Sequence, residues 1–145
     1  MKPTLYKGGK FEDHRGEIRF VNEENPGNYR RFYIITHPDT TIVRAWQGHK
    51  KEEKSFYVTQ GSFVIAVVNP VNFEIPDDDE SPEFFILNTG NHYFLRVPGG
   101  CYTGIKALSP NSTLLVLSSL DLSESKLDDY RQPEGKWVEN WNLTI

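Results

Sequence analysis

The chain has 145 residues, of which 37% are hydrophobic and 25% are charged, and its formal net charge is −4 at pH 7. This composition is typical of one globular domain with its own core; it argues against disorder and disfavours general binding to nucleic acid, which needs a basic face. No apolar run approaches the ~20 residues that cross a bilayer. We therefore expect a single domain over residues 1–145 with no nucleic-acid or membrane partner.

Most of the chain is predicted to form short β-strands. "EIRFVNE" alternates, with Ile18 and Phe20 expected inward, and "RRFYIIT" and "TTIVRAW" are β-branched and aromatic. "SFYVTQGSFVIAVVN" predicts two strands joined as a hairpin at Gln60-Gly61. "EFFIL", "HYFLRV", "CYTGIKAL" and "STLLVLSS" follow at intervals of about ten residues, which is typical of an antiparallel sandwich or barrel.

The C-terminal part is predicted to contain one helix and a tail. In "LDLSESKLDDYR", Asp121 is an N-cap candidate with Glu124 three residues later, the spacing of a capping box. The tail, residues 131–145, carries Trp137 and Trp141, which we expect to cover a barrel edge or a neighbouring subunit. Cys101 is the single cysteine and the N-terminal segment lacks an apolar signal sequence, so we expect a cytoplasmic protein.

The segment "RAWQGHKKEE" places a single histidine, His49, just before a strand. A small β-barrel with a histidine at this place resembles the cupin superfamily, whose metal-binding members carry His-x-His, a following Glu, and a later His after a Pro-x-Gly turn. Here those positions are Gln47, His49, Glu53 and Thr103. Gln and Thr are poor ligands for transition metals beside imidazole and carboxylate. We therefore expect the cupin fold without a bound metal or other cofactor.

Several ordered blocks resemble the cupin-fold enzymes that act on dTDP-4-keto-6-deoxysugars. These are the dTDP-4-dehydrorhamnose 3,5-epimerases and, more closely, the dTDP-sugar 3,4-ketoisomerases. The blocks are "DHRGEIRFVNEEN", "RRFYII", "RAWQGHKKEEKSFYVTQGSF" and "VPGGCYTGIKAL". The resemblance implies an all-β fold, a double-stranded β-helix (cupin or jelly-roll barrel) with one short C-terminal helix.

The resemblance implies three catalytic residues. His49 matches the second histidine of the ketoisomerases' His-x-His-Lys-Lys run, Lys54 matches an epimerase lysine that stabilises an enolate, and Tyr33 matches a tyrosine on a neighbouring strand. Imidazole suits the removal of a carbon-bound proton because its ordinary pKa lies near neutrality. The alternative is that His49 only caps the turn before "SFYV".

Four further residues are implied to bind substrate. Arg15 matches an arginine that meets the nucleotide's phosphates, although a plain ion pair with Asp13 or Glu17 is the alternative. Arg44 is expected inside the barrel, where a buried guanidinium needs an anionic partner. Gln47 and Thr103 stand where the related enzymes have histidines.

These implications predict an isomerase or epimerase of a nucleotide-linked 4-keto-6-deoxysugar in surface-polysaccharide biosynthesis. Because Gln47 and Thr103 replace family histidines, the alternative is a non-catalytic module that binds a nucleotide sugar or another small carbohydrate. The resemblance also implies a homodimer that exchanges N-terminal strands, with residues 1–12 as the exchanged arm.

Overall fold

The computed structural model describes residues 1–22 and 28–142. Within them the chain forms twelve strands and one short helix, so the all-β prediction is confirmed. The elements are β1 (Thr4–Lys7), β2 (Gly9–Asp13), β3 (Gly16–Phe20), β4 (Arg31–Thr36), β5 (Val43–His49), β6 (Lys54–Gln60), β7 (Ser62–Val68), β8 (Glu83–Asn88), β9 (Tyr93–Val97), β10 (Cys101–Ala107), β11 (Thr113–Ser118), α1 (Leu122–Lys126) and β12 (Tyr130–Arg131).

Two five-stranded antiparallel sheets form the barrel. Their strand orders are β1-β9-β6-β11-β4 and β12-β5-β10-β7-β8. Apolar side chains of both sheets meet between them; those that are fully or almost fully buried include Phe56, Phe63, Ile65, Leu95 and Leu114. This two-sheet arrangement, with strands distant in sequence as neighbours, is the predicted jelly-roll barrel.

The predicted hairpin at Gln60-Gly61 is wrong. β6 and β7 follow each other in sequence but lie in different sheets, so the chain crosses from one sheet to the other at this point. Gly61 has φ +78, and a Cβ there would lie 2.1 Å from Oγ of Ser112. A glycine between two apolar strands therefore marks a crossing as readily as a hairpin, and the local sequence does not separate the two.

The N-terminal strands stand apart from the core. β1 adds to β9 at the edge of the first sheet, whereas β2 and β3 form a separate two-stranded sheet. Ile18, predicted to point inward, is 63% exposed, and its cross-strand partner Phe11 is 55% exposed. The prediction that Ile18 points inward is therefore wrong, because no second sheet covers the apolar face of this hairpin within the described residues.

The C-terminal tail pairs with the edge of β5 through Arg131 and Gln132 and then covers the outer face of the second sheet. Trp137 and Trp141 pack on Trp46 of β5, with ring centroids 5.1 and 5.4 Å from it. The indole N–H of Trp46 donates to the carbonyl of Glu134 at 3.1 Å. These contacts hold β5 from outside and so fix the positions of its inward side chains. Residues 143–145 of the predicted tail, and 23–25 of the first resemblance block, lie outside the described residues.

The helix prediction is confirmed in place but not in length. The Asp121 side chain caps α1 by accepting a hydrogen bond from the backbone N–H of Glu124. The Glu124 side chain accepts in turn from the backbone N–H of Asp121, so the capping box is present. The helix ends at Lys126, well before Arg131. In the described residues, no helix is both long and apolar enough to cross a bilayer.

Candidate active site

An irregularity in β5 sets which side chains face the barrel interior. Trp46 packs outside, against the C-terminal tail, and Val43 and Ala45 pack against the same apolar cluster. The pairing of β5 with β10 shifts register between Thr103 and Ile105, so that Thr103 lies opposite Gln47 and Ile105 lies opposite Arg44. A β-bulge of this kind breaks strict alternation, which allows Arg44 and Gln47, three residues apart, to face the same interior.

The interior opens into a cavity of about 730 Å³ between β4, β5, β10 and α1. Five of the seven predicted site residues line it: Tyr33, Arg44, Gln47, Lys54 and Thr103. The other two, His49 and Arg15, do not.

His49 is buried beside this cavity and is not among the residues that line it. Its Nδ1 lies 2.7 Å from the carbonyl oxygen of Asp128, so Nδ1–H is the donor, and its Nε2 lies 3.2 Å from Oε2 of Glu52. Neither Nε2 of His49 nor Oε2 of Glu52 makes a hydrogen bond in the described structure. Burial, reinforced by the charge of Lys54, lowers the pKa of His49, although Glu52 acts in the opposite direction. His49 is therefore a buried imidazole whose pKa lies below its ordinary value and whose Nε2 faces a carboxylate.

Glu52 is a fully buried carboxylate at the centre of the polar cluster. Its Oε1 accepts from the hydroxyl of Ser118 at 2.7 Å and from Nη2 of Arg31 at 3.4 Å. Its Oε2 lies 3.2 Å from His49 Nε2 and 3.7 Å from Nζ of Lys54. Burial alone would raise the pKa of Glu52, but His49, the Ser125 hydroxyl and Lys54 outweigh it and lower the pKa.

Lys54 is the basic group that faces the cavity. Its Nζ donates to Oε1 of Gln47 at 3.2 Å, and the side chain is 6% exposed. Burial, with a contribution from Arg31, lowers the pKa of Lys54 to about 8, against the opposite effect of Glu52 and Asp129. Gln47 holds the Lys54 side chain in place by accepting this hydrogen bond. Because the pKa of Lys54 is about 8, part of its amine is neutral near physiological pH.

Tyr33 is a protonated phenol at neutral pH. Burial, reinforced by Glu52, raises the pKa of Tyr33 to about 12. The guanidinium of Arg31 lies 5.0 Å and Nζ of Lys54 lies 5.9 Å from the centre of its ring. A phenol that stays protonated in a cavity can donate a hydrogen bond to a substrate oxygen.

Asp128 shapes the turn that follows His49. Its carboxylate accepts from the backbone N–H groups of Lys50, Lys51 and Glu52 at 2.9, 2.9 and 2.8 Å. The carboxylate of Asp128 thus caps this turn, and His49 contacts the same residue through Nδ1. The turn in question directs Glu52 inward, while Glu53 turns outward to Nη2 of Arg96 at 2.7 Å.

The structure places the two predicted arginines in different parts of the chain's surface. Arg44 lines the cavity but is exposed, since the open cavity admits solvent, and it makes no salt bridge within the described residues. Arg15 lies on the β2–β3 hairpin, where Nη2 contacts Oδ2 of Asp13 at 2.7 Å, the alternative that the sequence left open. Its side chain is 76% exposed.

Sequence reasoning missed several residues of the site. Arg31, Lys126 and Arg131 add positive charge to the cavity wall, and Asp129 lines it as a carboxylate, 2.7 Å from Nε of Arg131. Glu52 is three residues from His49, and this spacing could have raised it as a partner. Asp128, Asp129 and Arg131 come from a distant segment, so the sequence offers no local signal for them. In the described part of the chain, no three His, Cys, Asp or Glu side chains are grouped to hold a metal ion.

The family model described as "FdtA: WxcM-like, C-terminal" matches residues 1–135. The chain belongs to this family. A relative from Haloferax volcanii, named as the probable low-salt glycan biosynthesis epimerase Agl13, is 26% identical; the match covers 92% of this chain and 88% of that protein.

Solved structures with the same fold include two groups of sugar-nucleotide enzymes. The QdtA 3,4-ketoisomerase from Thermoanaerobacterium thermosaccharolyticum, in complex with TDP, is 23% identical with a TM-score of 0.71, covering 95% of this chain and 93% of that one. A dTDP-4-dehydrorhamnose 3,5-epimerase from Bacillus anthracis, with TDP and PPi bound, is 18% identical with a TM-score of 0.75, covering 99% and 86%. These likenesses confirm the cupin-type barrel.

Proposed function

We propose that this member of the FdtA family is an isomerase or epimerase of a nucleotide-linked 4-keto-6-deoxysugar. The observation that carries the proposal is the cavity itself, in which a buried amine, Lys54, and a protonated phenol, Tyr33, face the same space as Arg44. Removal of a proton next to a carbonyl needs a base and a donor for the enolate oxygen. The names of the Haloferax relative and of the similar structures support this reaction class and a place in glycan biosynthesis.

The charge of the cavity wall supports a nucleotide diphosphate as the recognised group. Arg44 and Lys126 have no salt-bridge partner in the described residues, so both are available to an anion. Guanidinium groups bind phosphate oxygens through paired, charge-assisted hydrogen bonds. Two similar structures hold TDP, which is consistent with this assignment.

We further propose a homodimer, working in the cytoplasm. β4 is a terminal strand of its sheet, and its outward Phe32 and Ile34 are 64% and 57% exposed. The β2–β3 hairpin presents a second apolar face through Phe11 and Ile18. A hairpin from a second copy, packed on β4, would cover both faces and an open sheet edge, and Arg15 could approach a nucleotide in that arrangement.

The second candidate is a binding module that holds a nucleotide sugar without converting it. Gln47 and Thr103 favour it, because both are neutral side chains that cannot act as bases and both line the cavity. The two candidates differ in one observable, the breaking of a carbon–hydrogen bond.

The test is incubation with dTDP-4-keto-6-deoxyglucose in D2O, followed by NMR of the hydrogens at C3 and C5. The proposal expects deuterium to enter at one or both carbons faster than in buffer alone. Exchange at C3 alone would favour a ketoisomerase, and exchange at C3 and C5 would favour a 3,5-epimerase. Tight dTDP binding with no exchange would contradict the enzyme and support the binding module.

A further inference from the structure

The carboxylate of Asp129 lies on the cavity wall in a fixed orientation. Nε of Arg131 donates to its Oδ1 at 2.7 Å, and Nη2 of Arg131 donates to its Oδ2 at 3.2 Å. Arg131 is held in turn because β12 pairs with β5, where Arg131 lies opposite Gln47. The hydrogen bonds from Arg131 lower the pKa of Asp129, so its side chain is anionic at neutral pH.

Gln47 connects this carboxylate to Lys54. Nζ of Lys54 donates to Oε1 of Gln47 at 3.2 Å, and Nε2 of Gln47 donates to Oδ1 of Asp129 at 3.5 Å. An ammonium group can only donate and a carboxylate can only accept, so the amide oxygen must face Lys54 and the amide nitrogen must face Asp129. The orientation of the Gln47 amide is thereby set from both sides.

Asp129 and Gln47 together offer what a hydroxyl group needs. A carboxylate has about four acceptor positions. Within the described residues, Arg131 and Gln47 leave a lone pair of Oδ2 free. The amide nitrogen of Gln47 carries a second hydrogen beside it. Because a sugar hydroxyl both donates and accepts, it can donate to Asp129 and accept from Gln47.

Asp129 also disfavours phosphate in this part of the cavity. A phosphate at neutral pH is negatively charged and its oxygens accept hydrogen bonds, so a carboxylate repels it. Arg44, the proposed contact of the diphosphate, lies three residues before Gln47 on β5, about 10 Å away at the usual rise of a strand. The cavity therefore has a cationic end that suits the diphosphate and a second end that suits a hydroxyl.

We propose, on the basis of the proposed function, that Asp129 is a specificity-determining residue that accepts a hydrogen bond from the C2 or C3 hydroxyl of the bound sugar. These are the ring hydroxyls that a 4-keto-6-deoxyhexose carries. Gln47 donates to the oxygen of the same hydroxyl, and Arg131 is the positioning residue that holds the carboxylate in place. The assignment concerns recognition of the sugar and leaves the proton transfer to other groups.

The experiment compares the dissociation constants of dTDP and of dTDP-linked 6-deoxyglucose by isothermal titration calorimetry. Their ratio measures how much the sugar adds to binding, and effects on the nucleotide alone cancel in it. In Asp129→Asn we expect this ratio to fall about tenfold, at the low end for a hydrogen bond to a charged group because the Asp129 side chain is 35% exposed. Asp79→Asn, at an exposed loop aspartate, is the matched control and should keep the wild-type ratio.

Two further measurements separate contact with the sugar from a structural role. Arg131→Gln should lower the ratio in part, since the carboxylate remains but loses its fixed orientation. Analogues of the ligand that lack the C2 or the C3 hydroxyl identify the contact. The analogue without the contacted hydroxyl should give the same ratio in the wild type and in Asp129→Asn.

These binding measurements need no turnover, which keeps the inference distinct from the proposed isomerase. An unchanged ratio in Asp129→Asn, or a loss that persists in full with both deoxy analogues, would overturn the inference even if the wild type is active. So would a wild type that binds the sugar nucleotide no more tightly than dTDP. The expected ratios without any C–D exchange would instead contradict the isomerase alone.

Discussion

At the residue scale, the site combines groups whose environments separate their proton affinities. Tyr33 is held as an acid with a pKa of about 12, whereas Lys54 is held with a pKa of about 8. Both shifts begin with burial, which disfavours whichever form carries the charge. One cavity wall thus carries a phenol that stays protonated and an amine that is partly neutral near pH 8.

The depressed pKa of Lys54 has a consequence for stability. Between its value of about 8 in the folded chain and the ordinary 10.5, the unfolded chain binds more protons, so the free energy of unfolding rises with pH in this window. The full contribution is on the order of 3 kcal/mol. We expect Lys54→Met to abolish this rise.

Urea unfolding at several pH values between 7.5 and 10 would measure how steeply the free energy of unfolding rises with pH. Subtracting the free energy of unfolding of Lys54→Met from that of the wild type at each pH cancels the contributions of all other titrating groups. Lys51→Met, at an exposed lysine, is the control. Identical pH dependence in wild type and Lys54→Met would show that Lys54 titrates normally.

At the element scale, the pairing of β5 with β10 positions the site. Gly48 lies between Gln47 and His49, and its outer face is covered by the ring of Tyr102, where a Cβ would lie 2.3 Å from the ring. That ring cannot move aside, because it stacks on Phe73 at 4.7 Å and its hydroxyl donates to the Phe73 carbonyl at 2.9 Å. The close approach therefore requires glycine.

Gly48→Ala should lower the free energy of unfolding by roughly 1–3 kcal/mol through overpacking. It should also slow C–D exchange, since β5 would move and displace Gln47 from Lys54. Chemical denaturation gives the first quantity and the D2O assay the second. Gly135→Ala, where an added Cβ meets nothing within 4 Å, is the control. Equal stability of the two variants would refute this account of β5.

The local sequence predicted the strands well because each carries its own alternation of apolar and polar residues. β4 to β11 all overlap predicted segments, although β5 runs three residues past its segment to His49. Prediction from the local sequence failed where the structure depends on residues far away in the chain. β6 and β7 look like a hairpin but pair with other strands. At the metal-ligand spacing the sequence pointed to Glu53, whereas Glu52 is the glutamate beside His49. The orientation of those two glutamates is decided by Asp128, 76 residues after Glu52. Such information is absent from any short segment.

At the scale of the whole molecule, the exposed apolar surfaces predict self-association. The β2–β3 hairpin and the outer face of β4 each expose two large apolar side chains in the single chain. Contiguous apolar surface of this kind marks an interface more often than it faces water.

We expect light scattering to give the mass of two 16.7 kDa chains, and Ile34→Lys to reduce it to one. A lysine at this position would place a charge within the buried contact. Val71→Lys, at a fully exposed apolar residue in the loop before β8, is the matched control. A monomeric wild type would contradict the proposed dimer.

The most direct test of the site is a crystal structure with dTDP-linked 6-deoxyglucose, which lacks the ketone and cannot react. The account predicts the sugar in the cavity beside Tyr33 and Lys54, with the diphosphate at Arg44 or Lys126. A nucleotide bound outside the cavity would contradict it.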